Sequence, residues 1–449
     1  MRDLQAPIPP EPGKNIYLTI DTRLQAAGYA IVEDELNWWN RYFADKPDKQ
    51  MTSAVAIALN PRTGEILAMI SYPTYENNRM ARVIPSYYYK QLIADKRKPL
   101  VNHAVGDELP AGSVFKLSTA MGGLNEGVIT PDKIIETPGQ ITIMEKAAPN
   151  APVTSRNFVD WNREGFGKLD FVHAVAYSSN VYFYKVGGGY GDEVPNGGLG
   201  ICRLGSYARG LGYGALPGTG LPEEVSGLIP DPTYKRVNGG ESWTLGDTYI
   251  SSVGQGYVLA TPLQVLMSDS TMANDGKLMQ PTLIRDIVDE DGKVLQPFTP
   301  VLKWDLTVDP VIEEYYPDPS IRGCEKTGNK KTVQSWIFDK IKEGMRLAVV
   351  DDRGTLHKIY NNVNIAVAGK TGTAEYCDEF AKLHNPCTYG NWPTHGWTIS
   401  FAPFDNPEIA VVAFVYNGGE GASSAAPIVK RIIQAYFDLK AADNANVKP

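Results

Sequence analysis

The sequence predicts an α+β fold in which one sheet is assembled from both ends of the chain, with a mostly helical part inserted between them. Three observations carry this. Near the start, TSAVAIAL (52–59) and EILAMISY (65–72) read as strands joined by NPRTG, a turn rich in Asn, Pro and Gly, and so as a β-hairpin. Near the end, NIAVAGK (364–370), GWTISFAPF (396–404) and EIAVVAFVY (408–416) read as three more strands, followed by an amphipathic helix over about 424–439. Between these two groups the clearest elements have helical spacing. The chain then divides into a linker at 1–14 and one domain at 15–449, with its sheet part at 15–75 and 360–440 and its helical insert at 76–359.

Composition bounds the function. A chain of 449 residues, 43% hydrophobic, is globular and able to bury a large core. Its net charge of −8, with no long Lys/Arg run or basic-aromatic stripe, argues against a nucleic-acid partner. No run approaches the ~18 apolar residues of a membrane span. Residues 1–14, MRDLQAPIPPEPGK, lack the apolar core of a signal peptide and are polar and proline-rich, like a linker. The expectation is a fragment whose upstream part, a membrane anchor, has been removed. Four cysteines (Cys202, Cys324, Cys377, Cys387) are too few for a disulfide scaffold, form no C-x-x-C pair, and leave the compartment open.

Taken in order, NIYLTI (15–20) is strand-like, and Asp21 is placed to cap a helix running to about Trp39, with Leu24, Ala27, Ile31, Glu35 and Trp38 at helical spacing. Residues 73–102 are polar and aromatic with little period, and 131–167 is loop-rich. GKLDFVHAVAYSSNVYFYKVG (167–187) reads as one apolar helix carrying Ser-Ser-Asn in its middle. Residues 198–229 hold many glycines. VGQGYVLATPLQVLMSDSTMAND (253–275) is a glycine-bearing turn and then a helix with Pro262 in its first turn. The stretch 277–335 is charged and irregular, suited to surface hairpins or insertions, and 336–350 is helical again.

Chemistry concentrates at PAGSVFK (110–116). A serine that attacks a carbonyl needs a base within reach, and Ser113 and Lys116, three apart, share one face of a helix. Pro110 and Gly112 are poor interior residues, so the helix is expected to begin at the serine, where free backbone N–H groups can bind an oxyanion. Alone the motif is weak, since a chain of this length contains roughly one Ser-x-x-Lys by chance. A second group at 369–373, Gly-Lys-Thr-Gly-Thr, is expected to end a strand and to meet the serine across a cleft. There Lys370 would supply a cation and Thr371 and Thr373 hydroxyls. Gly372 would let a substrate backbone lie close.

SVFK at 113–116, SSN at 178–180 and KTGT at 370–373, in that order, resemble the S-x-x-K, S-D-N and K-T-G motifs of the penicillin-recognising serine acyltransferases. LTID at 18–21, RTGEILAMISYPTY at 62–75, GQGYVLATPLQ at 254–264 and HGWTISFAPFDNPEIAVV with YNGGEG near the end are similar to class B penicillin-binding proteins, best of all the elongation type. The resemblance runs from about Asn15 to Phe437. A second KTG at 326–328 sits in the polar run CEKTGNKK, and a second S-x-N at 155–157 lies in a loop, so the copies at Lys370 and Ser178 are preferred.

The resemblance implies a penicillin-binding/serine β-lactamase-like fold, an antiparallel five-stranded sheet flanked by helices plus a mostly helical subdomain. It implies a D,D-transpeptidase that needs no cofactor. Ser113 would be the acylated nucleophile and Lys116 its base. Ser178 would relay a proton between Lys116, Lys370 and the leaving amine, and Asn180 would hold the acyl-side amide. Lys370, Thr371 and Thr373 would bind the terminal carboxylate of the donor peptide or of a β-lactam. The oxyanion hole would be the backbone N–H groups of Ser113 and Thr373. The implied partners are peptidoglycan stem peptides ending in D-Ala-D-Ala, β-lactams and, in the membrane, a SEDS-type glycan polymerase, with the catalytic domain outside the cytoplasmic membrane.

Some relatives bind zinc between the first two motifs. Here Asp160 remains, but Phe166 holds the likely histidine position and no cysteine lies between Ser113 and Ser178, so no zinc is expected. Cys377 and Cys387 flank a loop with His384 and His395 close in sequence. A disulfide, free thiols and a metal site are the alternatives; spacings of seven, three and eight match no common zinc pattern, and an extracytoplasmic chain favours the disulfide.

Two other functions remain open. A β-lactam hydrolase shares the motifs but must activate water, and one such family uses a Glu-x-x-Leu-Asn segment that EDELN at 33–37 matches. That segment precedes the serine, inside the first helix, where Glu33 reads as a solvated helix residue. A non-catalytic sensor or cell-wall scaffold is the other.

Overall fold

The computed structural model describes residues 13–146, 152–194, 197–316, 323–378, 381–382, 387 and 392–446. The elements that place the site are, in chain order, β1 (Asn15–Leu18), α1 (Thr22–Tyr42), β2 (Ala54–Leu59), β3 (Ile66–Tyr72), α2 (Lys116–Asn125), α3 (Phe171–Tyr177), α4 (Asn180–Gly188), α5 (Pro262–Ala273), α6 (Ser335–Val350), β4 (Ala368–Glu375), β5 (Thr394–Ala402), β6 (Ile409–Val415) and α7 (Ala426–Asn446).

Strands β2 to β6 form one antiparallel five-stranded sheet in the order β4-β5-β6-β2-β3. Alternation along each strand gives it two buried faces. Ala54, Ala56 and Ala58 of β2, with Val411 and Ala413 of β6, face outward to α1 and α7. Val55, Ile57 and Leu59, with Val412 and Phe414, face the helical part. Small residues on the outer side allow close helix approach, and at Gly28 of α1 an added Cβ would lie 2.8 Å from Ile70 Cδ1. The inner face is covered by α5, all of whose residues are buried. Its start is fixed by Pro262 and by a reciprocal Thr261–Gln264 capping box.

Several elements differ from the sequence reading. The N-terminal strand β1 does not enter the main sheet; it pairs with residues 284–288, tying the chain's start to the stretch expected as surface insertion. That stretch forms short two- and three-stranded hairpin sheets. The loop-rich region 131–167 holds a long hairpin, Gln140–Lys146 against Val153–Val159. The expected single helix over 167–187 is two, α3 and α4, broken at Ser178. The terminal helix starts at Ala426 and runs to Asn446.

All four cysteines are paired, Cys202 with Cys324 and Cys377 with Cys387. The first pair closes 122 residues and had no sequence signal. Most of the expected linker, residues 1–12, lies outside the described residues. Among the described residues no helix is long and apolar enough to cross a membrane.

Candidate active site

Ser113 lies in a one-turn 3-10 helix, Gly112–Phe115, that runs directly into α2 at Lys116. The α-helix therefore starts at the lysine and not at the serine, although the first N–H groups of the turn remain without intrahelical partners, as at any helix start. Glycines let this turn press against the sheet. Gly112 has φ +59, and a Cβ there would sit 2.6 Å from the Thr373 carbonyl oxygen. Gly254, with φ +73, accepts the Gly112 N–H at 2.8 Å, and its own Cβ would lie 2.6 Å from Phe115 Cβ. Trp397 Nε1 donates to Pro110 O at 3.0 Å, and Gln255 Nε2 to Thr373 O at 3.2 Å.

Lys370, Thr371, Gly372 and Thr373 lie within β4, not at its end as expected, and β4 is an edge strand. An edge leaves one side of the strand without a neighbouring strand, and there Thr371 O accepts Lys370 Nζ and Thr373 O accepts Gln255 Nε2. Gly372 makes a close contact within the protein itself. A Cβ at this position would meet Val114 Cγ1 and Trp397 Cβ at 3.1 Å each, so its smallness admits the protein's own serine turn.

The chain break at 178–180 supplies the third side. Ser178 caps α3 in the left-handed region (φ 57, ψ 38), a conformation that costs a non-glycine residue about 1 kcal/mol or more. Ser179 caps α4, accepting the Tyr182 N–H, and donates its hydroxyl to Asp160 Oδ2 at 2.6 Å. Asp160 also accepts the N–H groups of Val181 and Trp161. Its carboxylate thus fixes the break that turns Ser178 and Asn180 toward α2.

There they meet the two lysines. Lys116 Nζ donates to Asn180 Oδ1 and to Ser178 O, both at 2.7 Å, and lies 3.3 Å from Ser178 Oγ. Lys370 Nζ donates to the same Ser178 Oγ at 2.6 Å and to Thr371 O at 2.9 Å. Both lysines are fully buried. Burial pulls the Lys116 amine down to about 7, against the opposing pull of the Asp160 charge. Burial, and then the Lys116 charge, hold Lys370 well below the usual lysine range. Two amines on one hydroxyl in a dry interior cannot both carry charge without an anion beside them.

The structure therefore brings Lys116, Ser178, Asn180 and Lys370 together beside the partly exposed Ser113, with Thr371 and Thr373 on the adjoining strand. The decoys fall elsewhere. Lys326–Lys331 is a short strand against Ile312–Tyr315, and Ser155 and Asn157 sit on the exposed hairpin strand. Glu33 is on α1, on the opposite face of the sheet from the serine turn. Sequence reasoning missed Asp160 as a capping anchor, and Gly254, Gln255 and Trp397 as the contacts holding the serine turn.

Among the described residues between the first two motifs, the side chains considered for zinc are otherwise engaged. The Asp160 carboxylate is engaged by protein donors, and Phe166 is packed on Trp161 and Tyr177. In the later loop Cys377 and Cys387 are bonded to each other, and His395 Nδ1 accepts the Asn417 N–H while its ring stacks on Tyr376. His384 lies outside the described residues.

A family model described as the penicillin binding protein transpeptidase domain matches residues 54–434. The chain belongs to the penicillin-binding protein transpeptidase family. A peptidoglycan D,D-transpeptidase MrdA of Haemophilus influenzae is 31% identical over 430 residues, spanning 95% of this chain and 57% of the relative. The chain thus covers a little over half the length of such curated relatives. A crystal structure of Pseudomonas aeruginosa PBP2 in complex with WCK 5153 superposes with a TM-score of 0.72 at 29% identity, over 95% of this chain and 76% of that one. A chain from a peptidoglycan synthase complex that coordinates polymerization and crosslinking is similar at 28% identity and a TM-score of 0.72, over 95% of this chain and 63% of its own length. In keeping with that family's fold, helices flank a five-stranded antiparallel sheet.

Proposed function

We propose that this chain is a peptidoglycan D,D-transpeptidase domain that cross-links stem peptides through an ester on Ser113. The observation that carries the reading is the convergence of two buried, charge-poor lysines, Lys116 and Lys370, on the Ser178 hydroxyl next to the serine turn. A lysine base must be neutral to accept a proton, and burial makes Lys116 so near neutral pH.

In the first step Lys116 takes the Ser113 proton as Oγ bonds to the carbonyl carbon of the penultimate D-alanine. The oxyanion is held by the backbone N–H groups of Ser113 and Thr373. The C–N bond then breaks, the proton returns through Ser178 to the leaving amine, and D-alanine departs. In the second step an amine of a neighbouring stem peptide attacks the ester, gives up a proton by the same route, and releases the Ser113 hydroxyl. Asn180 holds the acyl-side amide. Thr371, Thr373 and Lys370 hold the terminal carboxylate, whose negative charge is the anion that lets Lys370 be protonated. A β-lactam follows the first step, but its leaving amine stays tethered and blocks the acceptor.

The position of Glu33 behind the sheet disfavours the hydrolase reading, since that carboxylate cannot reach an ester on Ser113. The two disulfides support a site of action outside the cytoplasm. The relative solved within a peptidoglycan synthase complex supports a glycan polymerase in the membrane as partner.

The test is an intact-mass time course with penicillin G, run beside Ser113→Ala, followed by a donor–acceptor peptide assay. A persistent adduct on the parent alone and a cross-linked peptide product are expected. Labelling of the alanine variant overturns Ser113 as nucleophile. An adduct that decays as hydrolysed drug accumulates favours the hydrolase, and acylation without any peptide product favours a sensor.

A further inference from the structure

A cavity of about 500 Å³ lies apart from the serine cleft and shares no residue with it. Its walls are the helix Ile201–Gly210, the strand Leu302–Asp305 and the hairpin of Ile312–Tyr315 with Lys326–Lys331. These walls are fastened to one another. Cys202 is bonded to Cys324, the Glu313 N–H donates to Ser206 Oγ at 2.7 Å, and Trp304 Nε1 donates to Gly210 O at 2.8 Å. The concavity is thus a rigid part of the fold, of a size that suits a small ligand.

Its charge runs against that of the chain. The protein has a net charge of −8, yet the hollow is cationic among its described lining residues. Lys326 and Lys330 share a single carboxylate, Glu313, at 3.4 and 3.1 Å. Asp231, also in the lining, is engaged in capping the helix Pro232–Gly239. Arg209 is exposed and has no ion pair or side-chain hydrogen bond with any described residue. Its guanidinium is folded back over Gly205, where an added Cβ would sit 3.1 Å from an Arg209 terminal nitrogen. Trp304 and Tyr315 add flat apolar surface beside it. A planar guanidinium with no ion pair or side-chain hydrogen bond among the described residues, next to aromatic walls, is suited to take a carboxylate in a two-pronged hydrogen bond while the rest of the ligand lies on the rings.

We propose that this hollow is a second binding site, for a carboxylate-bearing stem peptide, anchored by Arg209. Only the identity of the peptide rests on the cross-linking function above; the carboxylate preference rests on the hollow itself. Such a site would hold one strand of the substrate polymer away from the reacting ester.

The experiment uses the full chain, first acylated with penicillin G to close the serine cleft, with intact mass confirming the adduct. Calorimetry then follows a stem pentapeptide with free side-chain carboxylates, and the same peptide with those carboxylates amidated. One equivalent of the acidic peptide is expected to bind the penicilloyl protein, with affinity falling at least about tenfold in Arg209→Ala and for the amidated peptide. Arg209 is exposed, so the variant folds. The proposal is overturned if the penicilloyl protein binds no acidic peptide, or if Arg209→Ala or amidation leaves the affinity unchanged. If penicillin leaves no adduct, the Ser113 reading fails on its own, and the Arg209 dependence of peptide binding still decides the second site.

Discussion

Lys116 and Lys370 stand on either side of one hydroxyl, their amines 3.3 and 2.6 Å from Ser178 Oγ, although 254 residues separate them in sequence. Neither amine makes an ion pair with a described residue, and both are fully buried. Most buried lysines are paired. These two instead face a hydroxyl, a carbonyl and an amide, which leaves a proton free to move.

The rate of acylation by penicillin should therefore follow the protonation of Lys116. Its amine must be neutral to act as base, so acylation is expected to rise with pH through about 7 and level off above it. Lys116→Ala should lower the rate constant by about 10²–10⁴-fold and abolish that pH step, read by stopped-flow acylation across pH 5 to 9. An unchanged pH profile in the variant would sink the assignment of Lys116 as base.

Asp160 acts on the site from behind. Its charge favours protonated Lys116, so removing it should move the midpoint of the acylation profile to lower pH. Asp160→Asn keeps the size and tests the charge. Asp160→Ala also leaves Ser179 Oγ, Val181 N–H and Trp161 N–H without their acceptor, and a loss of about 1–3 kcal/mol in stability is expected by denaturant melting.

Gly254→Ala tests the fit of the serine turn. The residue has φ +73, and its Cβ would press on Phe115 and the Gly112 carbonyl, so the turn must shift from its place beside β4. A displaced oxyanion site is expected to lower acylation by about 10²-fold or more while circular dichroism stays close to the parent. Full-rate acylation would show that the turn does not depend on this contact.

Asp269 is a cost to the fold. It lies in the middle of α5, fully buried, with neither carboxylate oxygen hydrogen-bonded among the described residues. Burial raises its acid well above the usual range. A raised acid stabilises the fold relative to ionised Asp only below the unfolded value near 4, and that contribution is lost as pH rises. Asp269→Asn should match the parent near pH 4 and exceed it at pH 8, by about 2–4 °C in Tm. Equal gains at both pH values would mean that ionisation is not the cause.

The Cys202–Cys324 bond closes 122 residues. Replacing both cysteines by serine is expected to lower stability by about 2–4 kcal/mol and to loosen the hairpin around Lys326 without changing acylation of Ser113. Parallel denaturant and acylation measurements separate the two effects.

Much of this was legible in the sequence, for physical reasons that differ from element to element. Strands β2 and β6 are buried on both faces and so read as nearly unbroken apolar runs. The helix-breaking turn at Ser178 was not legible. Apolar residues continue on both sides, Val175 and Ala176 before and Val181 and Tyr182 after, so the helical period runs on through the break, and the left-handed serine is imposed by Asp160 from outside the segment. The hairpin at 140–159 alternates in burial along Gln140–Lys146 but is mostly polar, which hid it among loops. Gly372 was visible as a place of close approach, but what approaches it is fixed only by packing. The Cys202–Cys324 pair had no local spacing to reveal it. The motif residues at 113–116, 178–180 and 370–373 acquired roles through family resemblance, and the structure adds the distances between them.

The order of the sheet has a temporal consequence. Strand β6 sits between β5 and β2, so the earlier β2–β3 hairpin has nothing to join to the Lys370 strand until residue 415 has emerged. Ser113 and Lys116 are translated some 250 residues before their partner Lys370 and must wait for it. A protease that cuts between β3 and β6 would leave the serine turn without the strand that carries Lys370. The proposed site therefore exists only once strands far apart in this sequence have been joined in one sheet.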